Sequence, residues 1–198
     1  MLRIYGSAKS RTLRTLWMVS ELGLAYEQKD WLPRAPETRT PEFLTLNPAG
    51  QVPVAVLADG RVLTQSNAIM LHLAEGSHLV PNDGYERAKM FEWLFREQYS
   101  HEPSIAVRIA RLFYRRMREE DLDPALLTKG NAALARMELQ LARTLYLVGE
   151  RLTLADIALV AYTRMAHRGG FDLAAYPSVM AWISRMEADL GLENAATA

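Results

Sequence analysis

Between Asn47 and Ile69 the sequence leaves the backbone little choice: Asn-Pro-Ala-Gly-Gln-Val-Pro-Val-Ala-Val-Leu-Ala-Asp-Gly-Arg-Val-Leu-Thr-Gln-Ser-Asn-Ala-Ile. Two apolar, β-branched runs, Val54–Leu57 and Arg61–Thr64, flank Asp59-Gly60, the pattern of a hairpin closed by a tight turn. Pro53 stands where the first run begins; it has no N–H to donate, so it can lead a strand but cannot occupy the middle of a ladder. A cis Val52–Pro53 bond would bend the chain and present both backbone polar groups of Val52. Gln65-Ser66 then opens a helix over Ser66–Glu75, whose first N–H groups have no partner inside the helix and whose dipole favours a carboxylate.

The residues before this segment alternate strand and helix patterns. Leu2–Tyr5 is a short apolar strand, and Gly6–Lys9 a loop. Ser10 can cap a helix that runs to about Glu21 and is stopped by Gly23, with Leu13, Leu16, Trp17 and Ser20 on one face. Tyr26–Asp30 is a second strand, and Pro41-Glu-Phe-Leu opens a short helix. The order βαβαββα defines a first domain over residues 1–76, an α/β unit that looks like thioredoxin-type folds. Residues 77–84 are a linker, and residues 85–198 read as an all-helical domain. There the predicted helices cover residues 85–100, a basic aromatic segment over 104–119, a long helix from Pro124 to about Leu147, and a last helix from Pro177. Thr153-Leu-Ala-Asp156 is a capping box with Asp in place of Glu, opening an apolar helix that Gly169-Gly170 ends.

Composition removes several classes of function. Lys plus Arg and Asp plus Glu number 23 each, so charge gives no sign of a nucleic-acid binder. There is no cysteine, hence no disulfide, no thiol nucleophile and no thiolate metal site. The Met1 end lacks the pattern of a signal peptide, and no stretch is apolar enough to span a membrane; a cytoplasmic protein is expected.

A serine at a helix start after a first strand can aim its hydroxyl at a bound thiol. Its hydrogen bond to sulfur and the helix dipole both favour the thiolate. Ser10 fits this role, with Ser7 as the alternative; a plain helix cap explains Ser10 equally well. Lys9 and Arg11 add positive potential nearby. Tyr5 reads as core. His101-Glu102 invites a metal or general-base reading, but adjacent helical residues point apart and no second pair stands at ligand spacing, so no metal is expected.

Tyr5-Gly-Ser-Ala-Lys-Ser-Arg-Thr-Leu-Arg14, Asn47-Pro-Ala-Gly-Gln-Val-Pro53, Gln65-Ser66 and Leu147-Val-Gly-Glu-Arg-Leu-Thr-Leu-Ala-Asp156 together resemble the glutathione S-transferase family, in its bacterial serine-type branch. The spacing of Ser10 and Arg14 matches that branch. The resemblance implies that glutathione is the co-substrate, with no permanently bound cofactor. It implies that Val52 and Pro53 hold the cysteinyl part, Gln65 and Ser66 the γ-glutamyl end, with Gln51 within reach and Arg39 on the glycyl carboxylate. Tyr99, His101, Glu102 and Arg108 are the candidates for a second-substrate pocket. Asp156 is structural by the same match. The implied activity is conjugation of small hydrophobic electrophiles, as in detoxification, by a homodimer without nucleic-acid or membrane partners. A glutathione-dependent isomerase, dehalogenase or peroxidase, and a non-catalytic binding protein of the same fold, stay open.

Overall fold

The computed structural model describes residues 1–193; the last five residues of the expected helical domain lie outside the described residues. The chain divides into two compact units, Met1–Val80 and Pro81 onward.

The first unit is built on a four-stranded sheet: β1 (Leu2–Tyr5), β2 (Tyr26–Lys29), β3 (Val54–Val56) and β4 (Val62–Thr64), in the order β2-β1-β3-β4. β1 runs parallel to β2 and antiparallel to β3, with Tyr5 opposite Val54; β3 and β4 pair antiparallel with Ala55 opposite Leu63. The hairpin closes through Leu57 N–H to the Arg61 carbonyl and Gly60 N–H to the Leu57 carbonyl. Gly60 takes φ +87°, so glycine sits where the turn needs a left-handed residue.

Helices α1 (Thr12–Glu21) and α3 (Ser66–Leu73) pack on one another, and α2 (Pro41–Leu46) is capped by Thr40, whose hydroxyl accepts the Phe43 N–H. Tyr5, Trp31 and Phe43 form an aromatic cluster with centroids 5.1 to 5.8 Å apart, fixing Tyr5 in the core as expected. The buried side of α1 corrects the sequence reading. Thr12, Arg14, Thr15, Met18 and Val19 are buried, whereas Leu13, Leu16 and Trp17 are half-buried and Ser20 is exposed. The seam against α3 decides the face, and it takes a threonine-rich side of the helix; periodicity of the leucines alone pointed elsewhere.

The second unit is helical: α4 (Gly84–Arg96), α5 (Ile105–Ile109), α6 (Ala125–Leu141), α7 (Leu154–Thr163) and α8 (Pro177–Asp189). α4 runs into a π-helical turn over Glu97–His101, closed by Glu102 N–H to the Glu97 carbonyl, and a second such turn follows α5 at Ala110–Tyr114. The expected single helix over 85–100 is thus two geometries end to end. α6 ends at Leu141, short of Leu147. Beyond that end the backbone is committed elsewhere: the Leu147 N–H donates to the Asp156 carboxylate at 2.9 Å and takes no part in a helical ladder. α7 opens with the expected Thr153/Asp156 capping box and is buried along almost its whole length.

Candidate active site

The candidate site lies in the first unit, where the loop before β3 meets the start of α3. Asn47 shapes that loop. Its side-chain N–H donates to the Gln51 carbonyl at 2.8 Å, and its side-chain oxygen accepts the Ala49 N–H at 3.2 Å. The Val52–Pro53 peptide is cis, and the β3 ladder begins only at Val54, so Val52 stands outside it. On the far side of the β3–β4 hairpin, Gln65 adopts φ +71° and ψ +118°, a left-handed conformation that costs a non-glycine residue roughly 1–3 kcal/mol. Nothing in the sequence signals this strain. It turns the chain from β4 into α3, and the Gln65 carbonyl still accepts the Ile69 N–H.

A shallow pocket collects these pieces. It is lined by Arg11, Asn47, Gln51, Val52, Pro53, Gln65 and Ser66. Five of the residues expected to hold the ligand therefore share one wall: Gln51, Val52, Pro53, Gln65 and Ser66. Gln51 and Gln65 are exposed; Ser66 is nearly buried at 4% exposure, and its hydroxyl lies 3.5 Å from the guanidinium of the fully buried Arg14. Asn47 and Arg11 join the wall. Sequence reading had Asn47 only as part of the loop and Arg11 only as a diffuse source of potential.

Arg39 is exposed and does not line this wall; its guanidinium lies against Gly50, where an added Cβ would run into it. Ser7 and Ser10 are likewise outside the lining. The helix α1 begins at Thr12 with Arg11 as its N-cap, so Ser10 does not cap it, a correction to the sequence reading. Instead Ser10 closes the turn before it. Its hydroxyl donates to the Ser7 carbonyl at 2.7 Å, and its oxygen accepts the Thr12 N–H at 3.2 Å and lies 2.8 Å from the Thr12 hydroxyl. Ser7 is 5% exposed, and its hydroxyl accepts the Lys9 N–H. Of the two serines, Ser10 is the more open. To donate to a sulfur it has to rotate away from the Ser7 carbonyl.

The four residues expected for a second substrate behave differently from one another. Tyr99 is 86% exposed, whereas His101 and Arg108 are each 1% exposed and Glu102 is 8% exposed. His101 bonds the Thr163 hydroxyl at 2.8 Å; that hydroxyl donates to the Leu159 carbonyl, so His101 is the donor. Arg108 donates to the Gly169 carbonyl at 2.6 Å and to Glu119, and lies over the Phe171 ring. His101 and Arg108 are thus engaged inside the helical unit. No group of three or more His, Asp or Glu side chains that could hold a metal occurs among the described residues, and no described helix is long and apolar enough to cross a membrane.

Residues 10–75 match the family model of the glutathione S-transferase N-terminal domain, and residues 104–189 that of the C-terminal domain. Among curated proteins, glutathione S-transferase 3 of Zea mays is 32% identical over 194 residues, covering 91% of this chain and 86% of that one. Among solved structures, a glutathione S-transferase from Pseudomonas fluorescens superposes with a TM-score of 0.88 at 42% identity, covering 94% of each chain. One from Xanthobacter autotrophicus superposes with a TM-score of 0.87 at 43% identity, over 95% of this chain and 93% of that one. With both domain models matched in order and near-complete relatives above 30% identity, the chain belongs to the glutathione S-transferase family of enzymes.

Proposed function

We propose that this chain is a serine-type glutathione transferase that joins the sulfur of glutathione to a small hydrophobic electrophile. The observation that carries the reading is the shared wall of Gln51, Val52, Pro53, Gln65 and Ser66. Two stretches separated by a hairpin converge there, one offering backbone polar groups in an extended segment and the other the start of a helix. That pairing suits a tripeptide laid out in extended form, its cysteinyl part along Val52 and its γ-glutamyl end at Gln65–Ser66.

The chemistry asked of the protein is modest. A free thiol has a pKa of about 8.5, so most of it is protonated near neutrality. Ser10, donating one hydrogen bond to sulfur beside the start of α1, favours the thiolate. Lowering the pKa by about two units is worth roughly 2.8 kcal/mol and makes the nucleophile the major species at neutral pH. The remainder is proximity: sulfur and electrophile held together react as one molecule. The chain has no cysteine, so the reacting sulfur is the ligand's own.

Conjugation of a chloronitroaromatic electrophile tests this directly. Ser10→Ala is expected to lower kcat roughly ten- to a hundredfold at neutral pH and to move the rise of the pH–rate profile upward by about one to two units. Full activity in Ser10→Ala together with loss in Ser7→Ala would transfer the role to Ser7. Absence of glutathione binding by the wild type, measured calorimetrically, would defeat the proposal as a whole.

A further inference from the structure

The hydroxyl of Ser10 has one hydrogen. A carbonyl can only accept, so that hydrogen lies on the Ser7 carbonyl, 2.7 Å away. In the 2.8 Å contact between the Ser10 and Thr12 hydroxyls, Thr12 is therefore the donor. Thr12 also donates its backbone N–H to the same oxygen at 3.2 Å. The serine oxygen thus receives both of its hydrogen bonds from one residue, the first of α1. Thr12 is wholly buried, so water does not compete for its hydroxyl hydrogen. Gly6 makes room for that hydroxyl, since a Cβ there would strike it.

We infer that Thr12 is a positioning residue for the proposed transferase chemistry: its hydroxyl anchors the Ser10 oxygen while the Ser10 hydrogen turns from the Ser7 carbonyl to the sulfur of glutathione. The inference rests on the reading of Ser10 given above. The turn is about the Cβ–Oγ bond, so the hydrogen moves and the oxygen stays. The Ser7 carbonyl is not stranded, because it keeps the Ser10 N–H at 3.1 Å. With its hydrogen on sulfur, the serine oxygen still offers two lone pairs to Thr12, whose own hydroxyl is a rotor and follows. The result is a row of two hydroxyls ending at the thiolate, in which one hydrogen bond strengthens the next by roughly 10–30%. Thr12 lies outside the pocket lining and acts through Ser10.

The ultraviolet absorbance of the bound thiolate, titrated with pH, reads the ionisation of glutathione on the enzyme without a second substrate. Thr12→Val keeps the shape and drops the hydroxyl. It is expected to raise the pKa of the bound thiol by about half a unit, an about threefold loss of thiolate below that pKa. Thr12→Ala, which adds nothing against Gly6, should give a shift of similar size. Thr12→Ser, which keeps the hydroxyl, should stay within about 0.2 units of wild type. Turnover of a chloronitroaromatic electrophile at saturating glutathione should fall about threefold for Thr12→Val at neutral pH, with the deficit closing above the thiol pKa. Affinity for S-methylglutathione, whose sulfur cannot ionise, should stay within about twofold. In a Ser10→Ala background, Thr12→Val should add no further shift. Equal melting temperatures establish that the variants are folded.

A bound thiol that titrates alike in wild type, Thr12→Val and Thr12→Ala overturns the role of Thr12, and leaves the reading of Ser10 standing when Ser10→Ala moves the same titration. A Thr12→Val shift that persists undiminished in the Ser10→Ala background shows Thr12 acting by another route and overturns the inference as well. A Ser10→Ala variant whose bound thiol titrates as in the wild type removes the serine reading and the inference together.

Discussion

Replacing Asp156 is the severest test of the helical unit, because its carboxylate is fully buried and completely committed. Oδ1 accepts the Leu147 N–H at 2.9 Å and the Trp182 indole N–H at 3.0 Å; Oδ2 accepts the Thr153 N–H at 3.0 Å and its hydroxyl at 2.8 Å. Burial pushes the pKa of this carboxyl up, and the four hydrogen bonds that push it down offset this only in part, so the net direction is up. All four partners donate, so the ionised form is the one in which no hydrogen faces another. Asp156→Ala strands three donors that cannot turn elsewhere, Leu147 N–H, Thr153 N–H and Trp182 N–H, while the Thr153 hydroxyl can rotate to a new acceptor. At about 1–3 kcal/mol for each buried orphan, with non-additivity, the loss should fall at about 4–6 kcal/mol. That is a large part of an ordinary domain's stability. Asp156→Asn keeps one oxygen. Placed at Oδ1 it still serves Leu147 and Trp182, and its amide can donate to the rotated Thr153 hydroxyl, so the Thr153 N–H is the one donor left facing a donor. Its cost should be about half as large. Equilibrium urea unfolding followed by tryptophan fluorescence and circular dichroism measures both. A loss under about 1.5 kcal/mol for Asp156→Ala, or an Asn variant as unstable as the Ala variant, would refute the accounting by stranded donors.

Glu138 on α6 caps α8 from outside, its two carboxylate oxygens accepting the Ser178 and Val179 N–H groups at 3.0 and 2.9 Å. Glu138→Gln is expected to cost about 1–2 kcal/mol in denaturant unfolding. Partial burial raises the Glu138 pKa, but the bonds from Val179 and Ser178 outweigh it and hold the carboxyl below its ordinary 4.5. Its stabilisation is therefore complete above the unfolded-state value and fades as pH falls through the lower folded one. The stability gap between wild type and Glu138→Gln should narrow on acidification below about pH 5, and a gap independent of pH would contradict the capping role. Gly6, at φ +134°, is expected to tolerate no side chain: an added Cβ would strike the Thr12 hydroxyl and reach within 3.0 Å of Val52 Cβ. Gly6→Ala should lower stability by about 2–3 kcal/mol and glutathione affinity with it, read by thermal melting and calorimetry.

The elements of the first unit were legible because their signals are local. Pro53, the Asp59-Gly60 turn and Pro41 each act within a few residues, as does the Thr153/Asp156 box of the second unit, and each fixed a boundary close to the observed one. What escaped depends on partners distant in sequence. The inward face of α1 is chosen by α3, about 50 residues on, and the Leu147 N–H is taken by a carboxylate nine residues further along the chain. The π-helical turns at 97–101 and 110–114 have no composition of their own. Within the site, the two wall-forming stretches were readable as motifs. The positive φ at Gln65 was not, because glutamine is not a residue that announces a left-handed conformation.

The polar seam of α1 explains why the serine loop and the start of α3 belong to one piece of structure. Arg14 is wholly buried, and a guanidinium is kept out of water only where acceptors meet it. It reaches the Ser66 hydroxyl from one side, while Thr12, two residues earlier, bonds Ser10 and sits under Gly6. Gly6 in turn lets β1 end close enough to Thr12 and Val52 that no Cβ fits between them. An apolar seam of leucines would bury more hydrocarbon, but it would provide none of these links. The threonines and the arginine give up some hydrophobic stabilisation and connect Ser10, Val52 and Ser66, three positions spread over 56 residues of chain, through neighbours that touch. A shift of α1 along α3 would therefore move the hydroxyl of Ser10 relative to the wall of Val52 and Ser66, so under the proposed function this seam sets the alignment of sulfur and serine.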